Sequence, residues 1–165
     1  GLLEHTLSVA RLCLQVAALY PSLDGDLLLA GALLHDIGKT RELAWTLRFD
    51  YTDEGRLLGH IALGAEMAVE RARDIKDFPP EALLRLRHMI LSHHGQYEWG
   101  SPKRPKTPEA LALHFADDLD GKMNTLSSFL RDAEERDPDS HWTPYHRTLD
   151  RYLFKGSRGR RGEED

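Results

Sequence analysis

The sequence predicts an all-α domain, a bundle of about six to seven helices, on three observations. Apolar residues recur at three- and four-residue spacing through most of the chain. Proline, glycine and short polar clusters interrupt those stretches where helices should start and stop. Strand-like alternation is confined to one short stretch between Thr40 and Tyr51, too little to build a sheet-based core.

In chain order, Leu3, Leu7, Ala10, Leu14 and Ala17 repeat at helical spacing as far as Pro21. They predict a first amphipathic helix of about five turns, with those residues on its inner face. Asp24 or Asp26 caps a second helix through the run Leu27 to Leu34, apolar on every side and therefore central, with Gly38 as its stop. Trp45, Leu47 and Phe49 alternate with polar residues as a short hairpin strand does. Thr52, followed by Asp53 and Glu54, starts a helix whose stripe of Leu58, Ile61, Ala65 and Ala68 runs to about Asp74. Pro79 and Pro80 open the next, which carries Leu83, Leu86 and Ile90 toward His93 and His94. Gly95 to Pro108 reads as an exposed loop holding Lys103, Arg104 and Lys106. Thr107 and Pro108 then cap a long helix with Leu111, Phe115, Leu119, Met123, Leu126 and Leu130 as its stripe, ending at Asp137-Pro138. A short helix is expected around Leu149 to Phe154.

With 165 residues and 41% hydrophobic content the chain can bury one core of ordinary size. One domain is therefore expected over residues 1–155, with 156–165 a polar, disordered tail. The run Leu27 to Leu34 falls far short of the roughly 20 residues of a membrane span, and no basic segment with an apolar signal core opens the chain. A cytoplasmic protein with no membrane association is expected. Cys13 is the single cysteine, so an internal disulfide is excluded and any metal must use histidine and carboxylate. A formal charge of −5 argues against holding nucleic acid by bulk electrostatics and calls for a local basic patch or a partner domain. The chain begins with Gly1 and a helical pattern at once, which reads as a cut from a longer protein.

The nine histidines matter by position more than by number. His35 and Asp36 end the most apolar helix, where an imidazole and a carboxylate cost desolvation unless something pairs with them. A divalent cation is one such partner; a hydrogen-bonded pair at a helix C-terminus is the other. His5 lies between Leu3 and Leu7, His60 beside Ile61, and His93-His94 close a helix, while Asp117, Asp118 and Asp120 interrupt the long stripe. Each alone is compatible with a satisfied core or cap residue. Five helices each bringing a ligand-type residue to an apolar face is more economically explained by convergence on metal. Lys39 either offers its ammonium to a substrate phosphate or satisfies a helix dipole. Asp120 either orients a ligand or the attacking water, or pairs on the surface with Lys122 or Arg131. His114 suits a packing or supporting role, His88 a core edge, and His141 and His146 a terminal packing cluster. Tyr97 to Lys106 combines aromatics and cations, as surfaces for single strands do, or else forms a solvated loop with its aromatics turned inward.

His5, His35-Asp36 and a later aspartate form the pattern that names the HD superfamily of phosphohydrolases, which this sequence resembles through His35-Asp36-Ile37-Gly38-Lys39. His60 and His93-His94 resemble the extra histidines of its binuclear subset. The segments Gly1-Leu2-Leu3-Glu4-His5-Thr6, Leu57-Leu58-Gly59-His60-Ile61, Ser92-His93-His94-Gly95, Gly100-Ser101-Pro102 and Leu113 to Lys122 make it similar to the HD domain of the YhaM-type bacterial 3′-5′ exoribonucleases, over nearly all of residues 1–155. The resemblance implies an HD-domain helical bundle that hydrolyses RNA phosphodiesters from the 3′ end with a metal-activated water. It implies two divalent ions, Mn²⁺ before Fe²⁺, Co²⁺ or Zn²⁺, held by His5, His35, Asp36 and Asp117 on one side and by Asp36, His60, His93 and His94 on the other. Asp36, Lys39 and Asp120 become the catalytic candidates. Single-stranded RNA or a nucleotide is the implied substrate, an OB-fold domain is expected in the parent chain, and a homo-oligomer is compatible with it. Two rival functions share the sequence: an HD phosphohydrolase acting on a small nucleotide or cyclic dinucleotide, and a non-catalytic helical interaction module.

Overall fold

Short polar side chains start three of the helices, as their sequence positions require. The Asp24 carboxylate accepts from the Leu27 amide at 3.0 Å, the Thr52 hydroxyl from Gly55 at 2.8 Å, and the Thr107 hydroxyl from Ala110 at 3.2 Å. The computed structural model describes residues 1–45 and 49–156. Its helices are α1 (Leu2–Leu19), α2 (Gly25–Leu34), a single turn α3 (Lys39–Glu42), α4 (Asp53–Arg73), α5 (Pro80–Ser92) and α6 (Pro108–Arg136), with a 3₁₀ turn at Tyr97–Trp99. A two-stranded antiparallel hairpin, β1 (Leu43–Trp45) and β2 (Phe49–Tyr51), lies between α3 and α4, in the register Leu43 to Tyr51 and Ala44 to Asp50. The all-α expectation holds, and the hairpin falls within the stretch from Thr40 to Tyr51, with Trp45 and Phe49 in its two different strands rather than in one. Leu47, one member of that alternating set, and the tail from 157 onward lie outside the described residues.

The chain divides into two units, Gly1–Asp120 and Gly121–Asp165. In the first, Val9 and Cys13 of α1, Leu28 of α2, Met89 and Ile90 of α5 and Leu113 of α6 are fully buried in one cluster. Glu109 adds a polar tie at its edge. Its Oε1 accepts from the Asp24 backbone amide at 3.1 Å and from Arg85 at 3.1 Å, linking the starts of α2 and α6 to α5. In the second unit the distal part of α6 is followed by extended segments joined by isolated bridges, Trp142 to Phe154 and His146 to Arg151. His146 meets the Phe129 ring edge-on, and His141 stacks on Phe154, the packing cluster expected there. No helix forms around Leu149 to Phe154: Asp150 has φ 53°, a left-handed conformation incompatible with helix continuation.

The predicted inner faces of α1 and α6 need correction. Leu3 is 80% exposed, Leu7 and Leu14 are each 48% exposed, and the buried stripe of α1 is Val9, Ala10 and Cys13. On α6 Leu111, Phe115, Leu119 and Met123 face solvent, while Ala110, Leu113, His114, Ala116 and Asp120 are buried. Both helices carry apolar residues around most of their circumference, so periodicity alone could not fix their rotation. The face chosen in each is the one bearing the histidine and aspartates. By length and composition α1 could cross a membrane, with mean hydropathy 1.3 over 18 residues. One such helix is weak evidence for a span, and Val9, Ala10 and Cys13 on it are buried in the core cluster.

Two glycines govern how α4 meets the turn that ends α2. After α2 the chain turns through Asp36 and Gly38 into α3, and Gly38 presses on α4 so closely that an added Cβ would lie 1.9 Å from the His60 carbonyl oxygen and 2.6 Å from the Gly64 nitrogen. Inside α4, Gly59 has φ 73° and ψ 157°, a region open essentially to glycine alone, which kinks the helix just before His60.

Candidate metal centre

Three helices and the turns that end two others deliver histidine and aspartate to one place in the first unit. His5 comes from α1, His35 and Asp36 from the turn after α2, His60 from the kink of α4, His93 and His94 from the end of α5, and Asp117 and Asp120 from α6. Two groups of ligand atoms result, each with its atoms within 4.8 Å of one another: His5, His35 and Asp117, and His60, His93 and His94. Asp36 stands between them, 3% exposed. Its Oδ2 lies 3.7 Å from His5 Nε2 and 3.5 Å from His35 Nε2, and its Oδ1 lies 3.4 Å from His60 Nε2 and 3.7 Å from His93 Nε2.

Each ring is fixed by its other nitrogen. His35 and His93 donate Nδ1–H to the carbonyls of Ala32 and Ile90, three residues back, at 2.8 and 2.7 Å. His94 donates to the Trp99 carbonyl at 2.9 Å. His5 donates to Asp120 Oδ2 at 2.7 Å, and His60 to Glu42 Oε1 at 3.3 Å. Every Nε2 is thereby left for the centre. Among the described residues, Asp36 Oδ1, His60 Nε2 and His93 Nε2 are buried without a hydrogen-bond partner. Orphaned buried acceptors facing one another are costly unless a cation is shared between them, so the residues fit a metal. His5 and His35 likewise approach Nε2 to Nε2 at 3.3 Å.

The electrostatics favour ionised carboxylates at Asp36 and Asp117 and neutral imidazoles at His60 and His93, whereas His5 must give up a proton to hold a cation. Burial alone would raise the Asp36 carboxyl, but His35 and the Lys39 ammonium, 2.6 Å from Oδ2, outweigh it and hold it below its ordinary value. Burial also works upward on Asp117, yet the His5 hydrogen bond and the neighbouring imidazoles bring it to about 2. His5 is raised to about 9, first by Asp117 at 3.0 Å and, against burial, by Asp120. Burial, with His35 and His94 adding, lowers His93 to about 3, and burial lowers His60. His93 is thus a neutral donor at any ordinary pH. Cys13 is buried and its thiol is pushed up to about 12 by that burial, which removes thiolate chemistry.

The sequence candidates therefore come together around Asp36, with the Lys39 ammonium on its Oδ2 and Asp120 behind His5. Asp120 is neither exposed nor on the surface, as its alternative reading required. His114 donates Nδ1–H to the His93 carbonyl at 2.8 Å, a supporting contact of the kind expected of it. Glu42 escaped sequence reasoning. One of its oxygens accepts both the His60 backbone amide at 3.0 Å and the His60 ring, so it caps the restarted helix and orients the ligand together. Its distance of 18 residues from His60 carries no periodic signal.

Comparison with known proteins fixes the class. The HD domain model matches residues 2–122, and the chain belongs to the HD domain family. An HD domain implies a divalent metal, and the two clusters supply ligand types for one. Its curated relatives include the 3′-5′ exoribonuclease YhaM of Bacillus subtilis, 48% identical over 130 residues, which is 79% of this chain and 41% of that protein. YhaM of Bacillus licheniformis is 48% identical over the same length, and that of Shouchella clausii 45%. The chain thus spans about 41% of the length of the relatives it matches. No solved structure matches it.

Proposed function

We propose that this chain is the hydrolytic domain of a metal-dependent phosphodiesterase acting as a 3′-5′ exoribonuclease. The carrying observation is Asp36, a buried carboxylate with one oxygen toward each histidine cluster. In this reading one ion is held by His5, His35, Asp36 and Asp117 and a second by Asp36, His60, His93 and His94, with Mn²⁺ the first candidate. When bound, a pair of divalent ions polarises the phosphoryl oxygens and lowers the pKa of water toward neutrality, the chemistry phosphodiester hydrolysis needs. Lys39 is about a third exposed and pairs with Asp36 Oδ2 at 2.6 Å, a place from which its ammonium balances charge that grows on the phosphate. Asp120 holds the His5 ring and keeps its Nε2 inward. The names of the relatives support RNA as substrate. A cytoplasmic setting and an OB-fold grip elsewhere in the parent protein go with that reading.

The test is Mn²⁺-dependent release of nucleotides from the 3′ end of a 5′-labelled single-stranded oligoribonucleotide. Asp36→Asn should lower turnover by more than about a hundredfold, since loss of even an outer-sphere partner costs ~10–100-fold. Its helical circular dichroism should be unchanged. Wild-type activity on cyclic dinucleotides or mononucleotides with none on RNA would transfer the same chemistry to a small substrate. A chain that binds no metal and turns over none of these is a helical interaction module.

A further inference from the structure

The loop between α5 and α6 is pinned along α5 at regular intervals. His94 holds the Trp99 carbonyl, the Lys103 amide donates to the Leu91 carbonyl at 3.2 Å, and the Lys106 amide donates to His88 Nε2 at 2.9 Å. Positions 94, 91 and 88 are successive steps of three residues, about 4.5 Å each along a helix axis. The loop therefore leads away from the metal centre in a fixed order, aromatic residues nearest and cations beyond. Tyr97 and Trp99 are 58% and 53% exposed, although the Trp99 ring also packs 6.0 Å from the centroid of His114. Lys103, Arg104 and Lys106 are exposed and, among the described residues, have no ion-pair partner. In a chain of net charge −5 such a run, offset by Glu98 alone within the loop, is a local exception.

Half-exposed aromatics held rigidly beside a hydrolytic centre offer faces for bases, and unpaired cations farther out attract successive phosphates. We propose that residues 97–106 are the substrate grip for a single-stranded nucleic acid, with Tyr97 and Trp99 stacking the bases nearest the scissile bond and Lys103, Arg104 and Lys106 binding the backbone upstream. This rests on the phosphodiesterase reading and names the surface that would give it polymer specificity. A duplex, whose bases are already stacked, has no use for the aromatic part.

The test measures fluorescence anisotropy of a labelled single-stranded decaribonucleotide, its 3′-terminal linkages made hydrolysis-resistant as methylphosphonates, against this chain with Mn²⁺ bound, over a range of salt. Two variants are compared with wild type, K103E/R104E/K106E and Y97A/W99A, with Mn²⁺ affinity by calorimetry as the check that the centre is intact. Charge reversal should weaken binding by at least tenfold and flatten the plot of log K against log salt by about 2 in slope. Loss of both aromatics should weaken it by about tenfold or more at unchanged salt slope. Mn²⁺ affinity should stay the same in both. Single-strand binding that neither variant alters overturns the assignment, as does tighter binding of a duplex or of an acidic peptide. Wild-type hydrolysis of bis(p-nitrophenyl) phosphate separates the two readings. If that turnover is present and no oligonucleotide binds, the grip fails and the phosphodiesterase stands. If turnover is absent while the oligonucleotide binds through this loop, the reverse holds.

Discussion

The five histidines of the centre fall into two kinds according to what holds Nδ1. His35, His93 and His94 donate to main-chain carbonyls, whereas His5 and His60 donate to carboxylates, Asp120 and Glu42. A carboxylate behind an imidazole fixes the tautomer and also makes the ring a more basic ligand. Each cluster has one such ring, so each is tuned once. Glu42 can therefore be tested apart from its structural duty. Glu42→Gln keeps an acceptor for the His60 amide and ring but removes the charge, while Glu42→Ala removes both. Calorimetric titration with Mn²⁺ should show one binding event weakened ~10–100-fold in Glu42→Ala and less in Glu42→Gln, with the other event unchanged. Equal weakening of both events, or of neither, rejects the role.

At the scale of elements, glycine decides how closely α4 approaches the turn that carries His35 and Asp36. Gly38→Ala would drive a methyl into the backbone of His60 and Gly64, and backbone cannot swing aside as a side chain can. A cost of about 2 kcal/mol or more is expected, with a fall in Tm of roughly 5 °C or more. Gly121→Ala in α6 meets nothing within 4 Å and should stabilise instead, by about 0.4–1 kcal/mol. Thermal melts of the two variants should move in opposite directions. The same contrast marks how far sequence could see. Helix starts at Asp24, Thr52 and Thr107 were legible because a capping side chain is a local device, whereas the alternation of Trp45 and Phe49 marked only the stretch that holds the hairpin, since the two residues fall in different strands. The rotation of α1 and α6 was not, because their leucines surround the axis and only tertiary contact selects Val9, Cys13 and Leu113 over Leu7 and Phe115. The candidate centre was nearly complete in sequence, since histidine and aspartate on apolar helices are conspicuous. Glu42 was invisible because its partner is brought to it by a kink at Gly59 that no pattern announces.

For the molecule as a whole, the first unit folds around a group of buried polar side chains that helix packing alone does not satisfy. His35, His93 and Asp36 are 0%, 1% and 3% exposed, so their desolvation is complete in the folded state and absent in the unfolded one. A cation that binds the folded arrangement and not the separated ligands contributes its binding energy directly to stability. At a free concentration one hundred times Kd that is about 2.7 kcal/mol for each ion, and two ions contribute about twice as much. For a chain of this size each kcal/mol corresponds to a rise of about 2–4 °C in Tm, so saturating Mn²⁺ should raise the midpoint by roughly 10–20 °C over protein in excess EDTA. The second unit lacks such a cluster among its described residues. Hydrogen exchange should therefore show metal-dependent protection concentrated at α1, α2, α4, α5 and the part of α6 up to Asp120, and little between Gly121 and Gly156. Asp36→Asn should abolish most of the shift, because its carboxylate turns one oxygen toward each cluster. An EDTA-insensitive Tm, or protection that rises uniformly along the chain, would mean that the histidines and aspartates stabilise one another without an ion, and the metal centre would have to be abandoned.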